Sequence, residues 1–169
     1  MFQDYKVVIT GATSGIGLAT ARLFIKEGAT VIGIGRNFSK TKDLGDRFIP
    51  RTCDVRDAEE IVKTCEFIKE TFGNELDVFV NNAGFGENTT IRDVTVDQFD
   101  RCFSLLLRAP MLFAKELYPL LLNAPKNNAS IINTASAASR TVSSENPLYN
   151  LAKNAVVLYT KQQAMGFIG

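Results

Sequence analysis

One stretch constrains the fold of this chain more than any other. A β-branched run, Val7, Val8 and Ile9 between Lys6 and Thr10, gives way to Gly11-Ala12-Thr13-Ser14-Gly15-Ile16-Gly17, and then to helical spacing through Glu27. A short run of that kind predicts a strand buried on both faces. Glycine in the turn permits a tight bend and close approach of the backbone to a bound group. The helix that follows offers unpaired N–H groups and partial positive charge at its start. Gly28 stops that helix.

The same alternation continues along the chain. Residues 30–35 (Val31, Ile32, Ile34) predict a second strand, residues 39–46 a short helix, and residues 48–53 a third strand. Pro50 argues for an edge position, because proline donates no ladder hydrogen bond. Ala58, Ile61, Val62, Cys65, Ile68 and Phe72 form an apolar stripe at helical spacing that ends at Gly73. Leu76, Val78, Phe79 and Val80 predict a fourth strand, which runs into Asn81-Asn82-Ala83-Gly84. A long helix is expected over residues 96–122, interrupted at Pro110, and a fifth strand over 130–134. A last helix opens with Pro147 in its first turn. Strands that alternate with helices predict an α/β fold with a parallel sheet covered on both faces.

The totals narrow the function classes. With 169 residues the chain is expected to form one domain, long enough to bury about 68–70% of its unfolded surface. A net charge of +1 implies no general attraction to nucleic acid or acidic membranes. No apolar run is long enough to span a bilayer, and the first residues lack the order of a signal peptide. Three cysteines with no metal-like spacing predict reduced thiols and a cytoplasmic setting, with no metal. The absence of histidine removes imidazole acid–base chemistry and histidine metal sites.

Two regions carry chemistry. The glycine turn lies between a predicted strand and a predicted helix, the context in which backbone N–H groups hold a pyrophosphate. Arg36 follows the second strand, nineteen residues past Gly17. An acidic residue about 20 positions on would hold the ribose 2′-hydroxyl of NAD. Arginine suits a 2′-phosphate instead, through charge-assisted, bidentate bonds. The expected cofactor is therefore NADP(H) in preference to NAD(H). Late in the chain, Tyr149 and Lys153 stand four apart on a predicted helix and share a face. A free tyrosine titrates near ~10, too high for proton transfer at neutral pH. A neighbouring ammonium favours its ionised form, which makes the pair a candidate acid.

Together these residues resemble the short-chain dehydrogenase/reductase family over nearly the whole chain. The resemblance implies a Rossmann-type, doubly wound parallel sheet with flanking helices. It assigns Gly11, Thr13, Ser14, Gly15, Ile16 and Gly17 to the glycine loop. Asp54 and Val55 would form the adenine contact, and Asn82, Ala83 and Gly84 would line the ribose and pyrophosphate path. Ser136, thirteen residues before Tyr149, matches the catalytic serine, and Tyr149 and Lys153 match the Tyr-x-x-x-Lys motif. The mechanism implied is hydride transfer between the nicotinamide cofactor and a small-molecule carbonyl or alcohol. Tyr149 would protonate the alkoxide, Lys153 would tune the tyrosine and hold the nicotinamide ribose, and Ser136 would bond the substrate oxygen. A homodimer or homotetramer through the long and last helices is expected, with neither nucleic acid nor membrane as partner.

Two departures matter. Leu106 stands where the family has an asparagine, while Pro110 frees a carbonyl one turn away. That carbonyl is expected to hold a water linking Lys153 to solvent, and Leu106→Asn to raise turnover. The sequence also ends at Gly166-Phe167-Ile168-Gly169, where the family continues with a strand, a helix, a strand and a substrate-covering loop. The expected fold is thus shortened at its C-terminal end, with an unprotected fifth strand and an open nicotinamide side. The rival expectation is a catalytically weak or inactive nucleotide-binding or partner-binding remnant. A third is a domain completed by another chain.

Overall fold

The computed structural model describes residues 1–125 and 128–167. Its centre is one parallel sheet of five strands: β1 (Lys6–Thr10), β2 (Thr30–Gly35), β3 (Phe48–Thr52), β4 (Val78–Asn81) and β5 (Ser130–Asn133). The order is β3-β2-β1-β4-β5. The chain leaves β1 for one side, through β2 and β3, and returns to its other side with β4 and β5. The order therefore switches between β1 and β4, where open α/β sheets form a crevice at the carboxyl ends of their strands.

Alternate strand residues feed two apolar layers, as pleating requires. Val7, Ile9, Val31, Val78 and Val80 pack with Ala21 of α1 (Gly15–Lys26). Val8, Ile32, Ile34 and Phe79 pack on the opposite face with α2 (Ala58–Phe72), α4 (Ala109–Leu122) and the start of α5 (Pro147–Gly166). Phe79 and Phe113 are fully buried, with ring centroids 5.7 Å apart. Burying each is worth about 1.5–3 kcal/mol.

Local chemistry sets the helix ends. The Asp57 carboxylate accepts from the backbone N–H of Glu59 and Glu60 at the start of α2, and Gly73 closes that helix in the left-handed region. Thr95 and Gln98 form a reciprocal capping box at the start of α3 (Val96–Phe103).

The strands and major helices predicted from sequence are present, and β3, the strand carrying Pro50, is an edge strand. Two expectations need correction. Residues 39–46 form successive turns rather than a helix: Thr41 N–H donates to the Phe38 carbonyl and Leu44 N–H to the Thr41 carbonyl, and Gly45 then sits at φ +69°. The long helix is not merely interrupted at Pro110. A π-helical segment, Ser104–Arg108, joins α3 to α4, and Ser104 Oγ back-bonds to the Asp100 and Arg101 carbonyls. Of the last four residues, Ile168 and Gly169 lie outside the described residues.

Candidate active site

Thr10, at the end of β1, ties the site together. Its Oγ1 accepts from the backbone N–H of Asn82 and of Ala83, both at 3.0 Å. The Asn82 amide donates to the carbonyls of Thr10 and Gly11 at 3.1 and 3.3 Å. The end of β4 is thereby laced to the glycine turn. Gly17 is buried behind that turn: a Cβ there would lie 2.2 Å from the Gly11 carbonyl oxygen and 2.5 Å from Asn82 Nδ2. Only glycine lets α1 approach so closely.

A cleft of about 660 Å³ opens over the switch point, within the roughly 300–1,000 Å³ of small-molecule sites. Gly11, Thr13, Ser14, Gly15 and Ile16 line one wall. Ser14 precedes α1 without a side-chain cap, so the first-turn N–H groups keep no intrahelical acceptor. A Cβ at Gly15 would meet nothing within 4 Å. Open space beside unpaired N–H groups fits a phosphate-bearing ligand. Arg36, Asp54 and Val55 line the cleft at the ends of β2 and β3, and Asn82, Ala83 and Gly84 line it at the end of β4.

Ser136, Tyr149 and Lys153 complete the other end. Ser136 precedes a 3₁₀ turn, Ala137–Arg140, and its Oγ accepts from Ala138 N–H at 3.2 Å. That bond uses a lone pair and leaves the hydroxyl hydrogen to donate. Lys153 is only 5% exposed. Its Nζ donates to the Thr134 carbonyl at 2.6 Å and lies 5.8 Å from the Tyr149 ring centroid. Burial pushes the ammonium below the ordinary lysine range, against an opposing contribution from Cys102. Leu106, 1% exposed, turns its side chain toward Gly84: a Cβ on that glycine would lie 2.9 Å from Leu106 Cδ2 and 3.7 Å from Lys153 Nζ.

Fourteen of the fifteen residues singled out from sequence line this one cleft; Gly17 packs behind it. Sequence reasoning missed Arg56 and Thr134, which line it too. Arg56 carried a signal in its position two residues after Asp54. Thr134 acts through its carbonyl, and a backbone acceptor leaves no mark in side-chain chemistry. The loop after Gly84 is pinned beside α5: Thr89 N–H donates to the Glu145 carbonyl at 2.9 Å, Asn146 Nδ2 to Asn88 Oδ1 at 3.1 Å, and Arg101 pairs with Glu87 at 2.6 Å.

The family model for short chain dehydrogenases matches residues 5–167. The chain belongs to the short-chain dehydrogenase family. An uncharacterized oxidoreductase of Bacillus subtilis, YxbG, is 35% identical over 173 residues, which cover 98% of this chain and 62% of that protein. The short chain dehydrogenase prhI of Penicillium brasilianum is 32% identical over 167 residues, covering 98% of this chain and 64% of that protein. The crystal structure of a short-chain dehydrogenase from Streptomyces avermitilis superposes with a TM-score of 0.89 at 27% identity, over 99% of this chain and 62% of that one.

The chain thus spans under two thirds of the length of these relatives. The doubly wound parallel sheet is the short-chain dehydrogenase fold. Among the described residues no helix is long and apolar enough to cross a membrane, and no cluster of three or more His, Cys, Asp or Glu side chains could hold a metal ion.

Proposed function

We propose that residues 1–169 form a single nucleotide-binding domain that takes NADP(H) in preference to NAD(H) and transfers hydride between it and a small carbonyl or alcohol. One observation carries this reading: the glycine turn, Arg36 and the Ser136–Tyr149–Lys153 set share one cleft. A reduced nicotinamide supplies the hydride when bound. The first-turn N–H groups of α1 hold the pyrophosphate, and Arg36 meets the 2′-phosphate. Asp54 and Val55 bound the adenine pocket, and Asn82, Ala83 and Gly84 the ribose path.

Ser136, its hydroxyl hydrogen still free, donates to the substrate oxygen and fixes it for reaction. Tyr149 gives that oxygen its proton. Lys153, held by the Thr134 carbonyl, stabilises the phenolate left behind. Preorganised donors of this kind are usually the largest catalytic contribution. Exposed Phe99, Met111, Leu151 and Leu158 on α3, α4 and α5 support self-association as a dimer or tetramer, and three free, buried thiols agree with a cytoplasmic setting.

The test is Tyr149→Phe. NADPH oxidation with a panel of simple ketones should fall to background, while fluorescence titration shows NADPH binding kept within about twofold. Retained turnover would remove Tyr149 from the chemistry.

Leu106 favours a second reading, a catalytically weak nucleotide binder, because its buried side chain supplies no hydrogen bond beside Lys153. Under the first reading a water on the helix carbonyl compensates, and Leu106→Asn raises turnover. Background turnover in the wild type and in a folded Asn variant, with NADPH binding intact, would favour the weak binder.

A further inference from the structure

The adenosine end of the cleft carries more charge than the NADP(H) reading uses. Arg36, Asp54 and Arg56 all line it. A carboxylate there opposes a ligand phosphate, and Asp54 is firmly ionised: the Arg56 guanidinium bonded to it holds its carboxyl down at about 2. Arg56 does not reach out for a ligand. Its backbone N–H donates to Asp54 Oδ1 at 3.0 Å, its Nε to Oδ1 and Oδ2 at 3.0 and 3.2 Å, and its Nη2 to Oδ2 at 2.5 Å.

Neighbouring elements fix the pair. Asp54 N–H donates to Glu60 Oε2 at 2.7 Å, and Arg108 Nη2 donates to the Arg56 carbonyl at 2.5 Å. Glu60 lines an adjoining polar groove rather than the cleft.

We propose that Arg56 is a specificity-determining residue for the adenosine 2′-phosphate: it cancels the Asp54 charge and leaves Arg36 as the net positive charge of that end. Without Arg56 the aspartate faces Arg36 directly, and the attraction for a dianionic group is lost. The inference rests on the NADP(H) reading, and its test separates the two.

Adenosine 2′,5′-bisphosphate and adenosine 5′-monophosphate differ only in the 2′-phosphate and need no turnover. Isothermal titration calorimetry on the wild type should give an affinity ratio of roughly tenfold or more in favour of the bisphosphate. Arg56→Gln should shrink that ratio roughly fivefold or more, while Arg56→Lys, which keeps the charge, holds it within about twofold. In an Asp54→Asn background, Arg56→Gln should leave the ratio near the wild-type value. Should Arg56→Gln alone not fold, Asp54→Asn by itself must raise the ratio, and a fall overturns the proposal. An unchanged ratio in Arg56→Gln, or an equal loss in Arg56→Lys, overturns it as well. If Arg36→Gln then still collapses the ratio, the NADP(H) reading stands alone. A wild-type ratio near one overturns both.

Discussion

At the scale of single residues, the role proposed for Lys153 sets function against stability. Its ammonium is buried, and among the described residues it donates to one acceptor, the Thr134 carbonyl. Burying a charge costs more than one hydrogen bond returns, which is why burial lowers this group's pKa. Methionine has a similar length and no charge. Lys153→Met is therefore expected to abolish turnover yet melt no lower than the wild type at pH 7, the pattern of a site that gives up stability for activity. The sign of the pH dependence follows from the lowered pKa. A group depressed below its unfolded value near 10.5 is destabilising at pH values under its folded pKa. That cost fades as pH rises from the folded value toward 10.5. Any advantage of the Met variant should accordingly shrink between neutral pH and pH 10.5 in paired thermal melts. A variant that melts several degrees lower at pH 7 would mean that the Thr134 bond outweighs the burial.

At the scale of elements, the end of β4 and the π-helical segment meet at Gly84 and Leu106. A Cβ at 84 would lie 2.9 Å from Leu106 Cδ2, and Leu106 is too deeply buried to swing aside. Gly84→Ala should cost about 1–3 kcal/mol by overpacking. Leu106→Val removes the clashing methyl, so the double variant should be more stable than the two single losses combined, by a coupling of about 0.5–3 kcal/mol. Denaturant melts of the four proteins measure this coupling, and strict additivity would show that the two elements do not press on each other. The same contact shows where the sequence was legible and where it was not. The Asn82-Ala83-Gly84 run could be read because its residue types and its place after a strand are local. Pro110 signalled a break in the long helix. The π-helical segment was not legible, because its widened turn comes from Ser104 back-bonding to the preceding turn and from packing around Leu105 and Leu106. The failed helix at residues 39–46 has a similar cause: Leu44 is buried and Gly45 has positive φ, which favours two turns over a continuous helical ladder. The serine at 136 was singled out by the family resemblance, which its spacing to Tyr149 fits, but the 3₁₀ turn that orients it was missed, because it depends on a cap to Ala138.

At the scale of the whole molecule, the cleft is a seam. Its walls come from the ends of all five strands, from the start of α1 and from α5. Across the middle of the sheet the two sides are joined by the β1–β4 ladder, by the bonds that Thr10 and Asn82 make beside it, and by the Arg108 bond to the Arg56 carbonyl. A dinucleotide bound along the seam would bridge both halves, so its binding energy should appear as stability of the entire fold. At about 100 times Kd a ligand that binds only the folded state adds about 2.7 kcal/mol. For a chain of this size that is a rise in Tm of about 5–10 °C. NADPH should produce such a rise, and hydrogen exchange should slow at both ends of the cleft, over residues 11–17 and over 134–153. Protection limited to the glycine turn would mean that the nucleotide stops short of Tyr149 and Lys153. The cleft would then be a nucleotide site without a reaction centre, however well the outlying residues are arranged.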